Sequence, residues 1–248
     1  MRTLLVSLAL LIFTPLGSAT VLIAANLGLS HREWKLFKWV PQTWARLINM
    51  AAGVRVRVHN AERMNDPAPH IYVSNHVSWF DVLALVATLP RFKFVAKAEL
   101  EKVPIFGPGM RAIGTVAIQR ENRKAAFAAY EEAAQRIRGG DSVVVYPEGT
   151  RGSSYALRPF KKGPFVLAIA SQAPVVPTIV HGTIEVLPRG SFWARAGTIH
   201  VHFLEPVPTT GLSYDDRDRL ATAVYSRMAE ALQRLYGVSS PAPVTRAA

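Results

Sequence analysis

The chain has 248 residues, enough for one substantial core plus an appendage. It has no cysteine, which excludes disulfides, thiolate nucleophiles and cysteine-ligated zinc. Lys and Arg number 29 against 17 Asp and Glu, a net charge of +12, so an anionic partner is expected: nucleic acid, an anionic lipid surface or a phosphorylated substrate.

From Thr3 to Ser30 no residue is charged. As a straight helix this segment spans about 42 Å, against roughly 30 Å of bilayer hydrocarbon. Pro15 and Gly17 lie near its middle and can divide it, so a kinked or re-entrant anchor stands beside a simple span. Gly17-Ser18-Ala19 has the small residues of a signal-peptide cleavage site. Apolar sequence nevertheless runs on to Leu29, and Arg2 alone supplies positive charge ahead of it, so retention is expected. The run His31 to Trp39, followed by Trp44 and Arg46, mixes tryptophan with basic side chains, as expected of a helix lying at lipid headgroup depth. The rival reading is a soluble amphipathic helix that packs Trp34 and Phe37 inward.

Strand and helix signals alternate beyond this point. Val54 to Val58 alternates valine with arginine, the pattern of a half-exposed strand. Ile71 to Ser74, Phe92 to Ala96, Thr115 to Ile118, Ser142 to Tyr146, Val175 to Val180 and Thr198 to Leu204 are further strand candidates. Asn122 to Arg138 is rich in alanine and charge, with Gly139 as its stop. Ser213 with Asp216 starts a second helix, whose stripe is Leu220, Val224, Met228 and Leu232 and whose end is Gly237. The alternation predicts an α/β fold with a twisted mixed or parallel sheet flanked by helices and an N-terminal helical membrane anchor. The expected division is 1–50 membrane-associated, 51–238 α/β domain and 239–248 disordered tail.

Two stretches carry chemistry. In Asn75-His76-Val77-Ser78-Trp79-Phe80-Asp81, a histidine leaves a buried strand and Ser78 caps the following helix, which sets Asp81 in its first turn. A carboxylate there can turn back to one imidazole nitrogen and leave the other to take a proton from a hydroxyl. A plain helix start would look the same. In Tyr146-Pro147-Glu148-Gly149-Thr150-Arg151, Gly149 admits a ligand close to the backbone, Arg151 can hold a phosphate, and Glu148 can orient that arginine or bind a substrate hydroxyl. A surface salt bridge in a turn is the alternative. Phe160-Lys161-Lys162-Gly163 adds positive charge. His200 and His202 share one strand face, but no third ligand has metal-site spacing, so no metal is expected. His31, His59, His70 and His181 read as surface or structural residues.

Asn-His-x₄-Asp followed by Glu-Gly-Thr-Arg resembles the lysophospholipid acyltransferase family, in its bacterial 1-acyl-sn-glycerol-3-phosphate acyltransferase type. Phe94 to Leu100, Val103 to Gly107, Gly114 to Arg120 and Val176 to Gly182 resemble further family stretches in the same order. The resemblance implies His76 as general base and Asp81 as its orienting partner. It implies Lys97, Arg120 and Arg151 at the glycerol phosphate, Glu148, Gly149 and Thr150 at the acceptor site, and the run Val175 to Val180 along the acyl site. Two departures stand out: Ala117 and Gln119 replace a bulky and an acidic residue ahead of Arg120, and Gly152 follows Arg151 where the family has serine. Without the acid, Arg120 is freer to pair with a substrate anion, or less firmly placed.

The reaction so implied is transfer of a fatty acyl group from a thioester, acyl-coenzyme A or acyl carrier protein, to the free hydroxyl of a lysophospholipid. No cofactor and no covalent acyl-enzyme are expected, because cysteine and a Gly-x-Ser-x-Gly elbow are both absent. The expected location is the inner or plasma membrane, with the catalytic domain facing the cytoplasm. Expected partners are the two substrates, an anionic membrane surface and an acyl carrier protein, with no nucleic acid. One alternative keeps the chemistry on another acceptor, such as a lyso-ornithine lipid. An alternative of another class is a non-enzymatic, membrane-tethered module binding anions or nucleic acid.

Overall fold

A computed structural model of the chain describes residues 1–30, 35–64, 68–90, 92–118 and 123–243, with side chains left aside at Lys97 and 123–128. The chain begins with helix α1 (Arg2–Asn26), continuous through Pro15. Proline removes one backbone donor here without dividing the helix in two, and the side chains that would line a break are apolar. Helix α2 (Leu36–Ala52) lies against α1: the Trp44 indole donates to Thr14 Oγ1 at 2.9 Å, and Arg2 reaches the Ala52 carbonyl at 3.3 Å. Phe37 is buried with Val21 and Ala24, whereas Trp39 is 60% exposed. His31, Arg32, Glu33 and Trp34 lie outside the described residues.

The remaining elements come in chain order: β1 (Val54–His59), β2 (Ile71–Ser74), α3 (Trp79–Thr88), β3 (Lys93–Lys97), α4 (Phe106–Ala112), β4 (Val116–Ile118), α5 (Arg123–Arg138), β5 (Val143–Val145), α6 (Gly163–Ser171), β6 (Val175–His181), α7 (Thr183–Val186), β7 (Gly197–Phe203) and α8 (Arg217–Tyr236). They build a mixed seven-stranded sheet in the order β1-β7-β6-β2-β5-β3-β4. β2 runs parallel to β5 and β6, and β3 parallel to β5 and β4, while β6 and β7 are antiparallel. Consequently β2, β3, β4 and β5 all end at one sheet edge, where parallel sheets place ligands.

Central strands covered on both faces read as unbroken apolar runs rather than alternating ones. Ile71, Tyr72 and Val73, and likewise Val143, Val144 and Val145, are all buried. Ile71, Val73, Val143, Val145, Val175 and Ile179 face α5, α6 and α8; Tyr72, Val144, Val176, Val180, Val201 and Phe203 face α2 and α3. The α8 stripe Leu220, Val224, Met228 and Leu232 is fully inside, and each such burial contributes about 1.5–3 kcal/mol. α8 is preceded by a single 3₁₀ turn, Tyr214–Asp216, which carries the Ser213–Asp216 capping box. α5 ends at Arg138, as the glycine after it suggested, and Gly140 rather than Gly139 takes the left-handed φ of +98°. α4 and α6 gave no sequence signal of their own, being short and punctuated by Gly and Pro.

Candidate active site

β2 ends at Ser74, and Asn75 locks the turn after it. The Asn75 amide donates to the Val180 carbonyl (2.9 Å) and accepts from the Val180 N–H (2.8 Å), tying the end of β2 to β6. His76 then leaves the sheet, and Ser78 starts α3. The Ser78 hydroxyl accepts from the Phe80 N–H at 3.3 Å and donates to the Leu187 carbonyl at 2.7 Å. Asp81, fully buried in the first turn, is thereby turned toward the preceding loop.

Among the described residues, Asp81 accepts four hydrogen bonds. Oδ2 takes His76 Nδ1 at 2.9 Å, the Val77 N–H at 2.6 Å and the Ser78 N–H at 2.8 Å; Oδ1 takes the Thr183 hydroxyl at 2.6 Å. A ring bound through Nδ1 keeps Nε2 for other work, and its side chain is 14% exposed. The other side of the imidazole is covered by Tyr146, stacked at 4.1 Å and 23°. Burial, with Asp81 adding to it, pushes the Tyr146 phenol well above its ordinary range. Among the described residues its hydroxyl has no hydrogen-bond partner.

The loop after β5 is built onto the histidine loop. Glu148 Oε1 accepts from the His76 N–H at 3.0 Å, and the Gly152 N–H donates to the His76 carbonyl at 2.7 Å. The partner of Glu148 differs from expectation: Oε2 pairs with Arg158 Nε at 3.0 Å, and Arg158 also donates to the Thr150 carbonyl. Arg151 instead lies over the Trp79 ring, 4.8 Å from its centroid, so the first residue of α3 carries this guanidinium. Arg189 donates to the Arg151 carbonyl at 2.8 Å, bringing another cation. Burial raises the Glu148 carboxyl above its ordinary value, and the bonds from Arg158 and from the His76 N–H offset part of that rise.

Gly149 has φ +78°, and a Cβ there would lie 2.7 Å from Lys161 Cε, so this turn requires glycine and keeps Lys161 against it. The Thr150 side chain makes a 3.4 Å contact to the Arg151 carbonyl. Lys97 closes β3 beside Ile118 of β4, at the same sheet edge; its side chain, and Gln119 and Arg120 entirely, lie outside the described residues. Val175 to Val180 makes up all of β6 but its last residue and is buried in both cores, and Val180 is tied to Asn75 beside the histidine loop. An apolar groove of about 450 Å³ lies elsewhere, between α1 (Leu10, Leu11, Pro15) and Val103, Ile105 and Phe106.

Arg158, Arg189 and Thr183 were not singled out from sequence. Arg189 and Thr183 act across long chain separations and Arg158 across an irregular loop, whereas only the Asn-His and Glu-Gly motifs carried a local signal. The strand pairing adds a neighbour to the histidine pair read from the sequence. His59 lies opposite His202 in the parallel β1–β7 register, so His59, His200 and His202 meet on one face. Ligand spacing along the chain is blind to a residue supplied by a neighbouring strand.

A mixed α/β sheet that presents a histidine–aspartate pair after a central parallel strand, with Arg151 and Arg158 in the adjoining loop after β5, defines the class. A model of the family described as Acyltransferase matches residues 55–181, slightly more than half of the chain, and the chain belongs to that family. It is 35% identical over 178 residues to 1-acyl-sn-glycerol-3-phosphate acyltransferase alpha of Homo sapiens, covering 71% of this chain and 63% of that protein. It is 33% identical over 178 residues to the beta form of Homo sapiens, covering 71% and 64%. The chain thus spans somewhat under two thirds of these curated relatives. The crystal structure of the 1-acyl-sn-glycerophosphate (LPA) acyltransferase PlsC from Thermotoga maritima superposes with a TM-score of 0.80 and 25% identity, over 97% of both chains.

Proposed function

We propose that this protein transfers a fatty acyl group from a thioester to the free hydroxyl of a lysophospholipid, with 1-acyl-glycerol-3-phosphate as acceptor and phosphatidic acid as product. The observation that carries this reading is the His76 Nδ1–Asp81 Oδ2 hydrogen bond at 2.9 Å, made beside the Glu148–Arg158 pair. The relatives named for this reaction support it.

His76 Nε2 takes the hydroxyl proton as the oxygen attacks the thioester carbonyl. Asp81 holds the ring in the tautomer that permits this and steadies the imidazolium that forms. The tetrahedral intermediate collapses, the carbon–sulfur bond breaks, and the imidazolium returns its proton to the leaving thiolate. The products are an ester and a free thiol. The acceptor phosphate meets Arg151 and Arg158, with Lys97 and Arg120 as further contacts, and Glu148 with Gly149 and Thr150 shapes the floor of the acceptor site. Asp81 and Glu148 act here without a metal or cofactor.

α1 holds the enzyme at the inner or plasma membrane, with the site on the cytoplasmic side, where an anionic surface attracts the basic chain. This helix is long and apolar enough to cross a bilayer, and 17% of its most apolar window is buried. Ala117 and Gln119, standing where the family pattern has a bulky and an acidic residue, favour a second reading: the same chemistry on another lysolipid acceptor.

The test is acylation of a panel of lysolipids by the purified chain, with acyl-coenzyme A and acyl carrier protein as donors and His76→Ala as control. Thioester-dependent product that vanishes in the variant supports the proposal. Turnover that survives His76→Ala overturns the assignment of the base, and strongly salt-dependent DNA binding without acylation overturns the enzyme reading.

A further inference from the structure

On the face of the sheet covered by α8, opposite α3, four histidines gather from three adjacent strands. The β1–β7 register sets His59 beside His202, and the β6–β7 register sets His181 beside His200. His59 Nε2 lies 3.0 Å from His200 Nδ1. The His59 and His202 rings stack at 4.1 Å and 7°. One ligating nitrogen each of His59, His200 and His202 can be chosen so that all three lie within 4.8 Å of one another.

We propose that His59, His200 and His202 form a binding site for a first-row transition-metal ion such as zinc. In a tetrahedral zinc site with ligand bonds of about 2.0–2.1 Å, the nitrogens lie roughly 3.4 Å apart. The His59–His200 pair is already closer than that; the three rings now lie within 16° of parallel, so the half-buried His59 and His200 rings must turn about their side-chain torsions to aim their lone pairs at one point with His202. Backbone rearrangement is not needed, because adjacent strands hold the three Cα atoms in fixed register.

The surroundings suit imidazole ligands. Each ring offers a nitrogen that binds a metal ion only as neutral imidazole, and all three lie on one face of adjacent, registered strands. Tyr236 of α8 supplies an outer partner: its hydroxyl is 2.7 Å from His202 Nε2, the kind of contact that orients a ligating ring through its second nitrogen. Its ring also stacks on His181 at 3.7 Å and 2°. Arg57, in register with His200, opposes a cation, but it is exposed and solvent screens it. The hydrogen now shared by His59 and His200 moves, by exchange with water, to the outer nitrogen of its own ring, so binding to neutral rings releases no proton.

Such an ion ties the edge strand β1, which comes directly after α2, to β7. Its role is therefore to hold the membrane-associated helices onto the sheet.

The test is titration of the chelator-treated full-length chain with cobalt(II), followed by visible absorption, and then with zinc. The expected result is one ion per chain, with the intense visible bands of tetrahedral cobalt, displacement by zinc, and a zinc-dependent rise in melting temperature. His59→Ala and His200→Ala, both half-buried positions away from the reacting groups, should each weaken binding at least tenfold while acyl transfer by the metal-free protein persists. Absence of the bands, or wild-type affinity in both variants, overturns the site.

Discussion

The Thr183 hydroxyl donates to Asp81 Oδ1 at 2.6 Å across 102 positions of sequence, joining the helix after β6 to the carboxylate that holds His76. Among the described residues, this is the one bond to Asp81 that comes from outside the histidine loop. Thr183→Val keeps the shape and removes the donor, leaving a fully buried carboxylate oxygen without its partner. A stability loss of about 1–3 kcal/mol is expected, together with a roughly tenfold fall in kcat and little change in acceptor KM. Denaturant unfolding and steady-state kinetics measure the two effects. Wild-type kcat in this variant contradicts a positioning role for Thr183.

Glu148 makes a pH prediction. Burial is the largest influence on its carboxyl and raises it above the ordinary value, so the folded protein holds this proton to higher pH than the unfolded chain does. Between the two values the folded state binds more protons, and stability falls as pH rises through that window. Glu148→Gln keeps an acceptor for the His76 N–H and removes the titration. The slope just above the usual carboxylate range should flatten, while acceptor KM rises because Arg158 has lost its anionic partner. Chemical denaturation from pH 4 to 7 reads the first, and an unchanged slope counts against it.

Gly149→Ala tests the turn proposed to lie beneath the acceptor. The residue sits at φ +78°, and an added Cβ meets Lys161 Cε at 2.7 Å. The backbone strain costs about 1 kcal/mol, and the Lys161 stem has to move. A several-fold higher KM for an anionic lysolipid is expected, with kcat close to wild type. An equal fall of kcat with unchanged KM places this turn in the chemical step instead.

Much of the fold was legible because parallel strands covered on both faces spell themselves as apolar runs, as Ile71 to Val73 and Val143 to Val145 do. Ser78 and Asp81 were readable because a capping box is a local code, and here the same carboxylate serves both the cap and the imidazole. Arg158 was not readable: it reaches Glu148 from ten residues away, over a loop without periodicity. The β1–β7 pairing was equally silent. Parallel register between strands far apart in sequence leaves no mark on either one, so His59 looked isolated until it stood beside His202.

The apolar surface of α1 makes the last prediction. Leu5, Ile12, Leu16 and Ile23 recur at helical spacing and are 46%, 49%, 59% and 61% exposed, a continuous apolar stripe turned away from the protein. Phe192 and Trp193, 86% and 72% exposed, sit in a loop tied to the start of α1 by the Ala194 N–H to Thr3 Oγ1 bond at 3.1 Å. An aromatic pair at the end of an apolar helix suits the headgroup layer. Changing Ile12 and Leu16 together to glutamate places two carboxylates on that stripe, each costing about 2.5–3.5 kcal/mol at hydrocarbon depth and less at the interface. Flotation with vesicles of mixed neutral and anionic lipid should move the variant from the floated to the soluble fraction. Its circular dichroism and melting should stay close to wild type, since both side chains are exposed and belong to neither core. Full retention on the vesicles would show that contacts other than this stripe hold the protein to lipid.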